Sequence, residues 1–535
     1  MGIFTSLQVL DLTACLLLLS AAIPIFLLTQ IVYNLYFHPL RHIPGPFWAR
    51  ASSIPSWLQA RTGKRHLWLH QQFQLFNTNT LRVEPNVVVF QDPEAYSAIY
   101  GEKSNVQRSD FYKMWSRNAD DINTMNALES AEHARKRKIL NRCFTDKSLR
   151  SAATFITKHV DRWNELLISP ETPPNEWSSP VDLSERLDAL VLDILTDLCF
   201  GQSVLTKEPD AQCPNPSLKS IPHCISEYLK LYYPLCRSPF ASLLIWLKPR
   251  GLDHLFALIT PPAIKQYYAF VESSATSRLS QPPDAPERLD MFHFLTTAPD
   301  KTTTLTLKEL LAESHLLIIA GSDTTSITLS GLFFYLTSPS NLEPLQKLTA
   351  EIRSAFSSLS EIVYPSPLLM TNCKHLTRCI NEALRLVNPL MCEIPREVRP
   401  GGITIQGRHY PAGTIVGYSP FVTAHDTQIW GPDASKYRPE RWETATKEMR
   451  AAYHPFLSGP GNCAGRSLAL SEMYMTVARM LWQFDVRRTP GSNKGAGGPG
   501  KGLYGPAEDE EHFNLFDAFV SLKEGPEVQF RRRQV

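Results

Sequence analysis

An uninterrupted apolar run opens the pattern of this chain. From Leu12 to Val32 there is no charged residue, and at about 1.5 Å per helical residue the run spans roughly 30 Å, the thickness of a bilayer core. The pattern predicts a single membrane-spanning helix, with Pro24 as a candidate kink and Tyr33, Tyr36 and Phe37 at the interface. Asp11 is the only charge before the run, whereas Arg41, Arg50, Arg61, Lys64 and Arg65 follow it. The positive-inside rule therefore turns the body toward the cytosol. A cleaved leader would normally have a shorter apolar region behind a basic start. Pro44, Gly45 and Pro46 then make a stiff turn that frees the body from the helix. The expected division is an anchor over 1–35, a proline-rich linker over 36–50 and a body over 51–535.

Within the body, helical text is clearest from Ala131 to Phe144, from Leu310 to Leu336, from Asn381 to Pro389 and from Ser467 to Trp482. Strand text is concentrated in RVEPNVVVF (Arg82–Phe90) and in GGITIQGRHYPAGTIVGYS (Gly401–Ser419), where alternation and Gly407 predict a hairpin. Between about Pro173 and Leu305 the chain mixes Pro and Ser with apolar helical stretches; its part from Asp284 to Leu295 reads as a loop leading into a helix. The Gly-rich stretch Thr489–Pro506 is expected to be a mobile surface loop.

Composition removes several function classes. With 535 residues, 43% of them hydrophobic, the chain can build a large core, and no internal repeat points to a solenoid. A formal net charge of +2 makes no case for nucleic acid as a partner. Ten cysteines show no zinc-like paired spacing, Cys373 and Cys379 included, and in a reducing compartment they need no disulfide framework. The GxG text within Thr489–Pro506 lacks the preceding strand and following helix of a dinucleotide site.

Chemistry concentrates in FLSGPGNCAG (Phe456–Gly465), a glycine-rich loop that runs straight into the helical text from Ser467. A thiolate at a helix start is favoured by the helix dipole and by backbone N–H groups, so Cys463 is a candidate metal ligand. Gly459, Gly461 and Gly465 would let the backbone approach a flat ligand. The loop resembles that of the cytochrome P450 family: Phe, two residues, Gly, one residue, a basic residue, one residue, Cys, one residue, Gly. Phe456, Gly459, Cys463 and Gly465 match; Gly461 stands where the family has the basic residue that meets a haem propionate. Further landmarks follow in order from about Pro44 onward.

The resemblance implies a mainly α fold with small β-sheets, preceded by one transmembrane helix, in an endoplasmic reticulum membrane protein whose catalytic domain faces the cytosol. It implies haem b, its iron ligated by the Cys463 thiolate, with Phe456 and Gly465 shaping the seat. His133 and Arg137, four apart on basic helical text, resemble one propionate clamp and Arg396 another. Ala320 to Thr325 resemble the oxygen-activating segment of the central helix. There Ala320 and Gly321 are small enough to approach the cofactor, Thr324 is the hydroxyl that relays protons, and Asp323 is the acid that refills it. Glu382 and Arg385, three apart on a helix, join Arg441 of the PERW text as a structural lock.

The same resemblance implies a separate NADPH-cytochrome P450 reductase, with cytochrome b5 as a further donor, and Arg135, Lys138 and Arg142 are candidates for a docking face. The substrate is expected to be a lipophilic small molecule. Its candidate contacts are Phe111, Tyr112, Asn123, Leu316, Ala320, Leu390, Met391, Glu393, Phe519 and Val520; among these Glu393 is expected to face outward. The texture of the chain resembles fungal membrane P450s that tailor polyketides, terpenoids or alkaloids. Oxidation of a xenobiotic, aromatic or fatty substrate is the alternative, and a non-catalytic haem carrier or sensor is the alternative of another class.

Overall fold

The computed structural model describes residues 12–118, 121–280, 288–297 and 304–534. Asp11, and Asp284 at the start of the loop expected before the central helix, lie outside the described residues. Helix α1 (Leu12–Val32) carries the apolar run and includes Pro24; its Ile23, Ile25, Phe26 and Leu28 side chains are exposed. Strands β1 (Thr80–Glu84), β2 (Val87–Phe90) and β3 (Val106–Arg108) precede helices α2 (Ser130–Leu140), α3 (Asp146–Leu167), α4 (Leu183–Phe200), α5 (Ile221–Cys236), α6 (Pro262–Leu279) and α7 (Leu307–Leu336). After these come α8 (Lys374–Leu386), β4 (Arg396–Val398), β5 (Ile415–Tyr418), α9 (Arg466–Gln483), β6 (Phe516–Ala518) and β7 (Val520–Leu522). The body is mainly helical, with small sheets.

Helix α7 is the centre of the core. Its start is fixed by a capping box: the Thr306 hydroxyl accepts the Glu309 N–H at 3.3 Å and the Glu309 carboxylate accepts the Thr306 N–H at 2.9 Å. From Thr325 to Leu336 every residue is buried, as expected of a helix apolar on all faces. The helix is long and apolar enough to cross a membrane, but most of it lies inside the protein. It packs along α4, with α6, α8 and α9 around it.

The largest sheet has the order β1-β2-β5-β4-β3. β2 runs parallel to β5, with Val88 opposite Val416, and β3 runs antiparallel to β4, with Arg108 opposite Arg396. All of β2 is buried, which accounts for its unbroken run of valines. The predicted hairpin forms between Ile403–Ile405 and Arg408–Tyr410, and its turn residues Gln406 and Gly407 both have positive φ, as a two-residue type I′ turn requires.

The Gly-rich stretch differs from its expectation as a mobile loop. Ala496 is buried and bridges to Phe513, the Gly497 N–H donates to the His512 carbonyl at 2.8 Å, and the Asn514 N–H donates to the Gly495 carbonyl at 2.8 Å. Glycine serves close packing here: a Cβ on Gly497 would lie 2.4 Å from the Ala507 carbonyl oxygen.

Candidate functional site

The loop Phe456–Gly465 meets α9 at the helix N-terminus. The Cys463 N–H donates to the Phe456 carbonyl at 2.8 Å, and the backbone N–H groups of Gly465 and Arg466 face the Cys463 sulfur. Gly459, at φ +64°, docks the loop on the body, because a Cβ there would lie 2.0 Å from the Tyr100 carbonyl oxygen. Cys463 is exposed, yet burial pushes its thiol above the ordinary value, opposed by those N–H groups and by Arg137 and Arg466. A sulfur that is accessible while ringed by protein opens onto an enclosed space. Ala320, midway along α7, is also exposed although Ile318 and Ser322 beside it are buried. A core helix with an accessible methyl group lines an interior space of the same kind.

Beside the cysteine loop is a cleft of about 330 Å³ lined by Arg108, His133, Arg396, Ser458 and Gly461 among others. Arg108 and Arg396 face each other across β3 and β4, and like charges directly opposite destabilise a sheet. Among the described residues neither they nor Arg137 pairs with a carboxylate. Arg396 donates to the Tyr112 hydroxyl at 3.0 Å and Arg108 to the Ala127 carbonyl at 3.2 Å. Burial, with the charges of Arg396 and Arg137, pushes Arg108 down to about 10. His133 Nε2 is buried without a partner, and burial with the three arginines pushes this imidazole down to about 4, leaving it neutral at physiological pH. The cleft is built for an anion.

The Arg137 guanidinium donates to the Asn462 backbone carbonyl at 2.5 Å and to Asn462 Oδ1 at 2.6 Å, tying α2 to the cysteine loop. Gly461 leaves room for Arg396, whose Nη2 would lie 3.1 Å from a Cβ at that position.

On α7, Asp323 is half-buried as a residue, but its carboxyl is deep: Oδ2 is buried without a hydrogen-bond partner. Burial and the nearby Asp188 carboxylate push this acid up to about 7. The Thr324 hydroxyl donates back to the Ala320 carbonyl at 2.9 Å, keeping its oxygen as an acceptor. Gly321 corrects an expectation. Its missing Cβ would lie 2.8 Å from Leu195 Cδ1, so the glycine brings α4 close to α7 and its small size is spent on helix packing.

Residues 44–497 match the family model described as Cytochrome P450. The chain belongs to the cytochrome P450 family. Cytochrome P450 monooxygenase poxM of Penicillium oxalicum is 30% identical, the match covering 95% of this chain and 93% of that protein. Cytochrome P450 monooxygenase apf7 of Gibberella fujikuroi is 29% identical, covering 94% and 95%. The fusicoccadiene 8-ol C-16 hydroxylase of Alternaria brassicicola is 30% identical, covering 88% and 92%. This P450 is a monooxygenase, and its cofactor is a haem-thiolate iron.

Glu382, Arg385 and Arg441 of the P450 meet as one buried cluster. Arg385 donates to both Glu382 oxygens, at 3.0 and 2.7 Å, and Arg441 Nε donates to Glu382 Oε1 at 2.8 Å. The Trp442 indole N–H and the Arg438 backbone N–H complete the shell at 3.0 Å each. Burial alone would raise the Glu382 carboxyl, but Arg385 and Arg441 hold it below the usual range. The spare guanidinium hydrogens bind the carbonyls of Ala424, Ala434, Trp430 and Asp433.

Of the expected substrate contacts, Phe111 and Phe519 come together, with ring centroids 5.3 Å apart. Trp115, which sequence reasoning missed, lies 5.1 Å from Phe519. Phe519 sits between β6 and β7 at φ +77°, a strained value for a bulky residue, and Val520 beside it is half-buried. Leu316 and Leu390 are half-buried, Met391 is buried, and Tyr112 is turned to Arg396. Asn123 is occupied locally: its Oδ1 accepts the Met125 N–H at 3.0 Å.

Glu393 departs from both of its expected roles. It is buried, not outward-facing, and is held by Arg65 at 2.5 and 2.7 Å and by Arg237 at 2.8 Å, so both of its oxygens are engaged by arginines. Arg135 is likewise committed, to Glu132 and Glu309, whereas Lys138 is exposed. Arg108 is the main addition, and its signal lies in strand pairing.

Proposed function

We propose that this P450 binds haem b, with Cys463 as the iron ligand and the cleft of Arg108, Arg396 and His133 as the seat of the propionates. The observation that carries the reading is the Cys463 sulfur, accessible at a helix N-terminus and served by two backbone N–H groups. The residues fit the group: opposed arginines without a carboxylate call for an anion, and an accessible Ala320 leaves the α7 face bare. The bound cofactor supplies dioxygen activation, driven by electron density from the thiolate. The chain's own part is to hold the sulfur, neutralise the propionates and move protons. Asp323, half-protonated near neutrality, hands a proton to the Thr324 oxygen, whose hydroxyl swings from the Ala320 carbonyl toward the active-site space.

Substituting Arg108 by Leu should speed haem release roughly ten- to a hundredfold, since a hydrogen bond to a charged group contributes about 1.5–3 kcal/mol. Capture of the released haem by an excess of apomyoglobin measures it, and an unchanged rate assigns the propionates to Arg396 and His133 alone.

The proposed setting is a fungal endoplasmic reticulum membrane, with α1 as a single-pass anchor, the body in the cytosol, and electrons from NADPH-cytochrome P450 reductase. Support for the anchor is its 21 uncharged residues and its exposed apolar side chains. After α5, Phe240, Leu243 and Trp246 at and on the short helix Ala241–Leu247, and Leu258 and Ile259 on Leu252–Ile259, are further exposed apolar side chains. The proposed reaction inserts one oxygen atom into a lipophilic secondary metabolite as a tailoring step; the similarity to a fusicoccadiene hydroxylase and the aromatic group Phe111, Trp115 and Phe519 support it. Deleting the gene and comparing metabolites by mass spectrometry tests the role. Accumulation of a precursor one oxygen atom lighter is expected. An unchanged profile while the protein is being made would turn the reading toward detoxification.

A further inference from the structure

Around Asp323 is a set of polar groups with no assigned part in the reaction. Ser326 lies three residues further along α7, on the same face as Asp323, and its hydroxyl donates to Asp188 Oδ1 on α4 at 2.5 Å. Lys523, just after β7, donates to that same oxygen at 2.5 Å. The Asp188 side chain is 24% exposed and that of Lys523 7% exposed, so the pair reaches from the protein rim to the buried face of α7. Asp323 has one carboxylate oxygen without any hydrogen-bond partner. Asp188 and Lys523 are the charged groups acting on it, and Tyr267 of α6 is a titratable group that senses its charge. Tyr267 carries a buried hydroxyl without a partner, but burial raises its pKa far above neutrality, so it offers no exchange with solvent.

We infer that Asp188 is a positioning residue for proton supply, taking protons from solvent and passing them through the Ser326 hydroxyl to Asp323. The inference rests on the reading of Asp323 as the acid that serves Thr324. The Asp188 carboxylate takes H⁺ from water and passes it to the Ser326 oxygen across their 2.5 Å contact; the Ser326 hydroxyl then turns from Asp188 and releases its own hydrogen to the partnerless Asp323 oxygen, and Asp323 returns to its protonated form. No electrons move. Lys523 holds Asp188 in place between transfers. Carboxylates this close influence each other directly, so the loading of Asp323 follows the charge on Asp188.

The test uses the full-length holoenzyme in membranes with its reductase, following NADPH oxidation in light and heavy water across pH. Asp188→Asn and Ser326→Ala should each slow the proton-limited rate roughly tenfold and enlarge the solvent isotope effect, while Asp188→Glu restores both. Ser326→Ala leaves the Asp188–Lys523 pair intact and guards against a folding effect. Infrared difference titration supplies a second readout: the carboxyl band lost in Asp323→Asn should titrate at lower pH in Asp188→Asn and at higher pH in Lys523→Met. Wild-type isotope effects, pH profiles and band midpoints in Asp188→Asn and Ser326→Ala, with Asp323→Asn altered, would overturn the route alone. An Asp323→Asn enzyme with a wild-type rate and isotope effect would overturn the reading of Asp323 and the route with it.

Discussion

Replacing Cys463 by alanine is expected to abolish monooxygenase turnover while leaving the fold intact. The side chain is exposed and its backbone N–H bond to Phe456 does not depend on sulfur, so truncation costs little stability. What is lost is the only exposed thiol among the described cysteines. The other described cysteines are buried or half-buried, and burial pushes Cys143, Cys199, Cys379 and Cys392 well above the ordinary thiol range. None of these can replace a thiolate. Carbon monoxide added to the reduced variant should give no long-wavelength Soret band of a thiolate-ligated haem, whereas the wild type gives one. A retained band would move the ligand to another cysteine.

Glu382→Ala should have the largest effect on folding. Two guanidinium groups, each fully enclosed, share this carboxylate, and removing one partner of a buried pair costs about 3–5 kcal/mol because a charge is left uncompensated. Here two are left. The arginines also organise the segment from Ala424 to Lys436 through its carbonyls, so the loss spreads to the chain that leads into the cysteine loop. Urea unfolding should show the full destabilisation and expression should give mostly haem-free protein. Glu382→Gln, which keeps the shape but not the charge, should fall between. A Glu382→Ala protein with wild-type unfolding and haem content would remove the lock from the account.

The parts of the site that were legible in the sequence are those carried by short local patterns. Phe456 to Gly465 is contiguous, and Glu382 with Arg385 follows from helical spacing alone. Residues whose meaning depends on strand register were not legible: Arg108 lies in a short strand with no periodicity, and only its pairing with Arg396, 288 positions away, makes it a second cation. Glu393 misled because burial of a carboxylate requires partners, and Arg65 and Arg237 come from distant helical segments. Gly321 was read as making room for a cofactor when it makes room for Leu195; a small residue on a helix does not declare which neighbour approaches. The Gly-rich stretch looked mobile by composition, yet its backbone groups find partners around His512 and Asn514.

The most direct test of the account is isotopic. With the precursor that accumulates in the gene-deleted strain, the full-length holoenzyme, reductase and NADPH, turnover under oxygen-18 gas should give a product carrying one labelled oxygen atom, with the other atom of the dioxygen released as water. Oxygen taken from water, or NADPH consumed with no labelled product, would contradict it.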